Sequence, residues 1–148
     1  MNALRQSFII VFLACFISVS LTSSASGAEY EGVKATQLKK TTTASNGQKL
    51  QYLKTEKPEV TVLMVEIPAG GETGWHLHPV PVYAYMLSGA ITVEMESGER
   101  YDFREGDTII EVINTPHNGT NTGRVPATLV VFYTGEQGSP NTVKTTHK

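Results

Sequence analysis

Histidine is scarce in this chain, four residues in 148, yet two of the four stand one residue apart. They are His76 and His78, in the stretch GGETGWHLHPVPVYAYMLSG from Gly70 to Gly89. Successive side chains on a strand point to opposite faces, so a strand here puts both imidazoles on one face, roughly 6–7 Å apart along it. At that separation two imidazoles can reach one metal ion. They cannot complete its shell, so a third ligand must come from another strand or loop. The remaining candidate is His117, in VINTPHNGTN, where Pro116 fixes the backbone before it and Asn118-Gly119 reads as a turn after it. His147 stands in a polar tail and reads as a solvated residue. The pair alone would serve equally as two structural histidines hydrogen-bonded to backbone. Trp75 and Leu77 would then face the other way and pack.

The elements that must carry these residues read as strands. EVTVLMVEIP, after Pro58, is a β-branched run expected to form a buried strand. ITVEMES alternates, with Ile91, Val93 and Met95 on one side and Thr92, Glu94 and Glu96 on the other, the pattern of a half-buried strand. Ser97-Gly98 turns it into ERYDFR, Glu105-Gly106 leads into DTIIEVI, and PATLVVFYT is a last strong strand closed by Gly135. Before them, ATQLKKTTT and QKLQYLKT flank the turn pair Asn46-Gly47 and suggest a hairpin or two edge strands, with Lys39, Lys40 and Lys49 suited to an exposed edge. No segment beyond the N-terminal apolar run keeps helical periodicity over three turns. The pattern is all-β, a sandwich or small barrel.

The N-terminal residues have another purpose. Arg5 precedes SFIIVFLACFISVSL, an apolar run of about 15 residues, short for a span of about 20. Ser26 and Ala28 then fit a cleavage site before Glu29, so a secreted or periplasmic location is expected. A lipoprotein anchor at Cys15 is the weaker reading, because Phe12 suits such a site poorly. The expected organisation is a leader over 1–28, a polar segment with edge strands over 29–58, a barrel over 59–135 and a loose polar tail over 136–148. Cleavage would remove Cys15, the chain's one cysteine, leaving a domain without disulfides that depends on its core. It would leave 11 basic against 14 acidic residues. With no basic runs, nucleic acid and anionic membrane are not expected partners. No Gly-rich loop precedes a helix and no G-x-S-x-G elbow is present, so neither a nucleotide fingerprint nor a serine hydrolase is indicated.

Two stretches together resemble the cupin superfamily. Its first motif runs glycine, five residues, His-x-His, three or four residues, glutamate, six residues, glycine; here Gly70, His76, His78 and Gly89 keep the spacing and Val82 stands at the glutamate position. Its second runs glycine, five residues, Pro-x-Gly, two residues, histidine, three residues, asparagine; here Gly106, His117 and Asn121 keep the spacing, with Val112 and Asn114 at the proline and glycine positions. The resemblance covers about 60–134. It implies a double-stranded β-helix, or jelly-roll barrel, holding a divalent transition metal (Fe, Mn, Ni, Cu or Zn) through His76, His78 and His117, with Val82 a substituted ligand position.

Glu111, six residues before His117, is a further candidate as ligand or ligand orienter if its register turns it inward. Tyr83 and Tyr85, beside the vacant glutamate position, are candidates to touch a bound ligand. The activity implied is that of a three-histidine, dioxygenase-like enzyme on a small organic molecule; the alternative is a non-catalytic periplasmic module that binds or senses a small ligand or metal. Cupins often dimerise through sheet faces, so the resemblance allows a homodimer and leaves the oligomeric state open.

Overall fold

A computed structural model describes residues 32–146. The chain divides into two units, Met1–Ala35 and Thr36–Lys148. Only residues 32–35 of the first are described, and all that follows concerns the second. The leader expected over 1–28, with Cys15, and His147 lie outside the described residues.

Nine strands and no helix make up the described residues: β1 (Pro58–Ile67), β2 (His76–Leu77), β3 (Val82–Ser88), β4 (Ala90–Met95), β5 (Arg100–Arg104), β6 (Thr108–Ile110), β7 (His117–Thr120), β8 (Ala127–Glu136) and β9 (Val143–Lys144). They form two antiparallel sheets, ordered β1-β8-β3-β6 and β5-β4-β7-β2-β9. Strict alternation builds the core between them. Val82, Ala84 and Met86 of β3 and Leu129, Val131 and Tyr133 of β8 point inward to meet Ile91 of β4 and Ile109 of β6. The neighbours of these residues on each strand face outward, as a period of two requires.

Two backbone positions let short strands change direction. Gly89 is the single residue between β3 and β4, which belong to different sheets. Its φ is +76°, and a Cβ there would stand 2.7 Å from the Ala127 Cα and 2.8 Å from the Pro126 carbonyl oxygen. Only glycine fits both the dihedral and the space. Asn114, at the second motif's glycine position, has φ +54° and is the one non-glycine residue with positive φ among the described residues. Asparagine tolerates this region better than other L-residues. Asn114 N–H donates to the His78 carbonyl at 2.8 Å, tying the turn to the histidine strand.

Several local expectations change. EVTVLMVEIP is a strand but not a buried one. β1 pairs with β8 alone and lies at its sheet's edge. Val60, Val62 and Met64 are exposed on it, because a β-branched run reports strand propensity and not how many neighbours the strand will have. The N-terminal hairpin reduces to one bridge, Thr43 with Lys49, around a turn at Asn46-Gly47. The last long strand runs on through Gly135 to Glu136. Asn118-Gly119 is not a turn; both residues are in β7, paired with Glu94 and Val93. The loose tail is in fact docked: Val143 and Lys144 pair with Leu77 and His76.

Gly89→Ala is expected to lower unfolding free energy in urea titration by about 2–4 kcal/mol, combining the left-handed dihedral with backbone overpacking. Gly98→Ala, in an exposed turn with no atom near the new Cβ, should lose only about 1–2 kcal/mol.

Candidate metal centre

The three histidines meet inside the barrel from two adjacent strands and the segment after one of them. His76 on β2 pairs directly across from His117 on β7, and His78 follows β2 in a bridge with Ile113. Ring centroids are 4.4 Å apart for His76 and His117, 4.8 Å for His76 and His78, and 5.1 Å for His78 and His117. Their ligand nitrogens all lie within 4.8 Å of one another. His78 and His117 are buried and His76 is partly so.

Each ring is oriented the same way. The Nδ1 of His76 lies 2.7 Å from the Gly74 carbonyl, that of His117 2.9 Å from the Thr115 carbonyl, and that of His78 2.9 Å from the Asn141 carbonyl. A carbonyl can only accept, so each Nδ1 must donate its hydrogen. In the neutral ring this leaves Nε2 with its lone pair free, the tautomer a metal-ligating histidine needs. Two of the carbonyls are local, two residues back along the chain. The third comes from the tail, and the Thr142 hydroxyl is also 3.2 Å from the His78 Nδ1.

Glu111 completes the inner wall. Its N–H donates to the Val82 carbonyl at 3.0 Å, beside the pairing of Tyr83 with Ile110. Its carboxylate oxygen Oε2 lies 3.1 Å from His78 Nε2 and 3.2 Å from His117 Nε2. The His117 contact is close but poorly directed, since His117 Nε2 has no hydrogen-bond partner. Burial would raise the Glu111 carboxyl, but His117 and His78 beside it outweigh burial and hold it well below the usual carboxylate range. Burial opposes charge on His117 too, yet Glu111 and the Thr115 carbonyl raise its pKa above the ordinary value. Burial depresses His76, with the other two imidazoles adding to the effect against the Gly74 carbonyl.

Tyr83 and Tyr85 stand elsewhere. They alternate with Val82, Ala84 and Met86 and so face the outer side of their sheet, lining an outer groove with Leu38 and Tyr52. The tyrosine at the cavity is Tyr133, unmarked in the sequence except by the alternation of β8. Its ring centroid is 5.6 Å from that of His78, and burial, then Glu111, raises its phenol above the ordinary value. Val82 is buried and Asn121 is a clamp, its amide donating to the Ile67 and Val125 carbonyls at 2.8 Å each. Gln48 was also not foreseen. Its side chain donates to the Ile113 carbonyl at 2.9 Å and accepts from the Ile113 N–H at 2.7 Å, pinning the segment between Glu111 and His117.

The cavity in front of the Nε2 atoms holds about 80 Å³, and its wall is mostly apolar, from Val65, Ile67, Phe103 and Leu129 among others. That exceeds the roughly 10–15 Å³ needed for one water, so the cavity has room for several. Three imidazoles on a dry wall, with rings fixed from behind, can hold a divalent transition metal and leave coordination positions toward that space.

Comparison with known proteins agrees with this architecture. A family model described as a cupin domain matches residues 63–133. No curated relative matches the chain. Among solved structures, a double-stranded β-helix protein from Klebsiella pneumoniae is 21% identical, with a TM-score of 0.50 over 62% of this chain and 76% of its own. The DMSP lyase DddQ from Ruegeria pomeroyi is 23% identical, with a TM-score of 0.52 over 64% of this chain but only 46% of its own. The polyketide cyclase RemF from Streptomyces resistomycificus is 18% identical, with a TM-score of 0.50 over 59% of this chain and 62% of its own. Likeness at these identities concerns the fold alone.

Ending the chain after Gln137 removes the carbonyl that receives the His78 Nδ1 hydrogen. Loss of such an outer partner typically weakens metal binding about 10–100-fold. That drop is expected in chelator competition, with the β-sheet circular dichroism signal retained. Unchanged affinity would remove the tail from the site.

Proposed function

We propose, from the cupin-domain match over residues 63–133 and the geometry of the site, that the chain binds a divalent transition metal through His76, His78 and His117 and presents it to a small organic ligand. The observation that carries this reading is the common anchoring of the three rings, each Nδ1 held by a backbone carbonyl. Histidines that served only to fill a core would have no need to expose three Nε2 atoms to one point.

When bound, Fe(II) would supply oxygen chemistry and Zn(II) or Ni(II) Lewis-acid chemistry. The chain's own residues define the rest. The apolar wall excludes bulk water and strengthens electrostatic contacts at the centre. Tyr133 lines the cavity with a phenol whose pKa is raised by burial and whose hydroxyl meets Thr142. The small volume admits a headgroup of a few atoms, or the reactive end of a larger molecule, and not a whole drug-sized ligand, whose pocket would be about 300 Å³ or more. A dioxygenase-like reaction on a compact chelating substrate is the catalytic form of this proposal. A non-catalytic binding or sensing module is the same site without turnover. Residues 1–28 would place either outside the cytosol.

The outer face of the β1-β8-β3-β6 sheet supports a homodimer. Val62, Phe132 and Tyr83 lie in one cross-strand row, and Val62 and Phe132 are exposed, as is Met64. A second copy would cover that apolar face.

Elemental analysis of tag-free protein should find about one divalent metal per chain, falling to background in His76→Ala, His78→Ala and His117→Ala; wild type at the variants' level would end the metal reading. Oxygen uptake by the Fe(II)-loaded protein with 1,3-diketones and thiol acids then separates an oxygenase from a binding module. Sedimentation is expected to give twice the monomer mass, and Met64→Glu with Phe132→Glu should return it to the monomer. A monomeric wild type would refute the dimer.

A further inference from the structure

We propose that Glu111 is a direct ligand of the metal, a carboxylate that reaches the centre from β6's end instead of from β3. The proposal rests on the three-histidine reading and adds a residue to it. Val82 occupies the sequence position where a glutamate would be looked for, and it is buried in the core. Glu111 follows β6, the strand paired with β3, and its N–H bonds to the carbonyl of Val82 itself. The carboxylate is therefore displaced by one strand pairing, while its head still reaches the barrel interior.

The distances fit a shared ion. Two atoms that ligate one metal at about 2.1 Å stand about 3.0 Å apart at a right angle and about 3.4 Å apart at the tetrahedral angle. Glu111 Oε2 is 3.1 Å and 3.2 Å from the Nε2 atoms of His78 and His117, between those values. Both rings spend their Nδ1 hydrogens on backbone carbonyls. In their neutral form, two nitrogen lone pairs and a carboxylate oxygen converge on one point, which calls for a positive centre there. The missing hydrogen-bond partner of His117 Nε2 is what a position reserved for a metal leaves behind.

Charge points the same way. Three neutral imidazoles leave the full divalent charge uncompensated inside an apolar barrel, where an unpaired charge is costly. One carboxylate halves it. Glu111 keeps 18% of its side-chain surface accessible and lines the cavity, so it is enclosed without being locked into the core.

The test moves the carboxylate back. Removing an outer partner costs about 10–100-fold in metal affinity, so Glu111→Ala, which removes a ligand, is expected to lose about 100-fold or more in chelator competition with Co(II) or Zn(II). Val82→Glu with Glu111→Val should recover most of that loss. A crystal structure of the metal-loaded wild type should place a Glu111 oxygen about 2.0–2.2 Å from the ion, a readout independent of whether either variant folds. Glu111→Ala binding as tightly as wild type, or a loaded structure with the carboxylate beyond coordination distance, would overturn the ligand role. The three-histidine site would survive that result if the histidine variants still lose metal. A wild type that binds no metal would overturn both.

Discussion

Everything at the centre of this protein depends on three hydrogen bonds from histidine Nδ1 atoms to backbone carbonyls. A carbonyl fixed in a turn or sheet cannot change role, so it dictates which nitrogen carries the hydrogen and which faces the barrel. The acceptors at Gly74 and Thr115 lie two residues before their histidines. The partners of His76 and His117 are therefore supplied by their own local backbone. His78 has no such local acceptor and takes its carbonyl from Asn141. The two sheets serve this arrangement by bringing β2 between β7 and β9, so that one two-residue strand receives a histidine neighbour on one side and the tail on the other.

The barrel was legible in the sequence because its strands alternate and its turns sit at Gly89, Gly98 and Gly106, all with positive φ. The histidine cluster was legible because motif spacing was kept even where residues changed; Asn114 could replace a glycine since asparagine also enters the left-handed region. What could not be read was pairing at long range. β1 has the composition of a central strand and an edge position. The tail is polar in sequence yet packs through backbone bonds, which have no side-chain signature. Tyr83 and Tyr85 were placed near the site by sequence adjacency to Val82, but adjacent residues on a strand face opposite ways, and the register sent them outward. Glu111's direction depended on the same unknown, and there the register turned it inward.

The proposed Glu111 ligand gives the valine at position 82 a wider meaning. Neighbouring strands present cross-strand residues at similar depth, so a side chain can be replaced functionally from the next strand without moving the backbone. The apolar residue left behind joins Ala84 and Met86 in the core. A sequence pattern scored position by position registers a loss where the interior keeps its composition.

The docked tail has a kinetic consequence. His78 waits on an acceptor 63 residues further along the chain, and β1 waits on β8 for its pairing, Pro58 with Glu136. Contacts between such distant segments close late, after most loop entropy has been spent. The orientation of the His78 ring thus depends on a contact of high sequence separation. The proposed site is in this way coupled to completion of the fold, since its third ring is aimed by the far end of the chain.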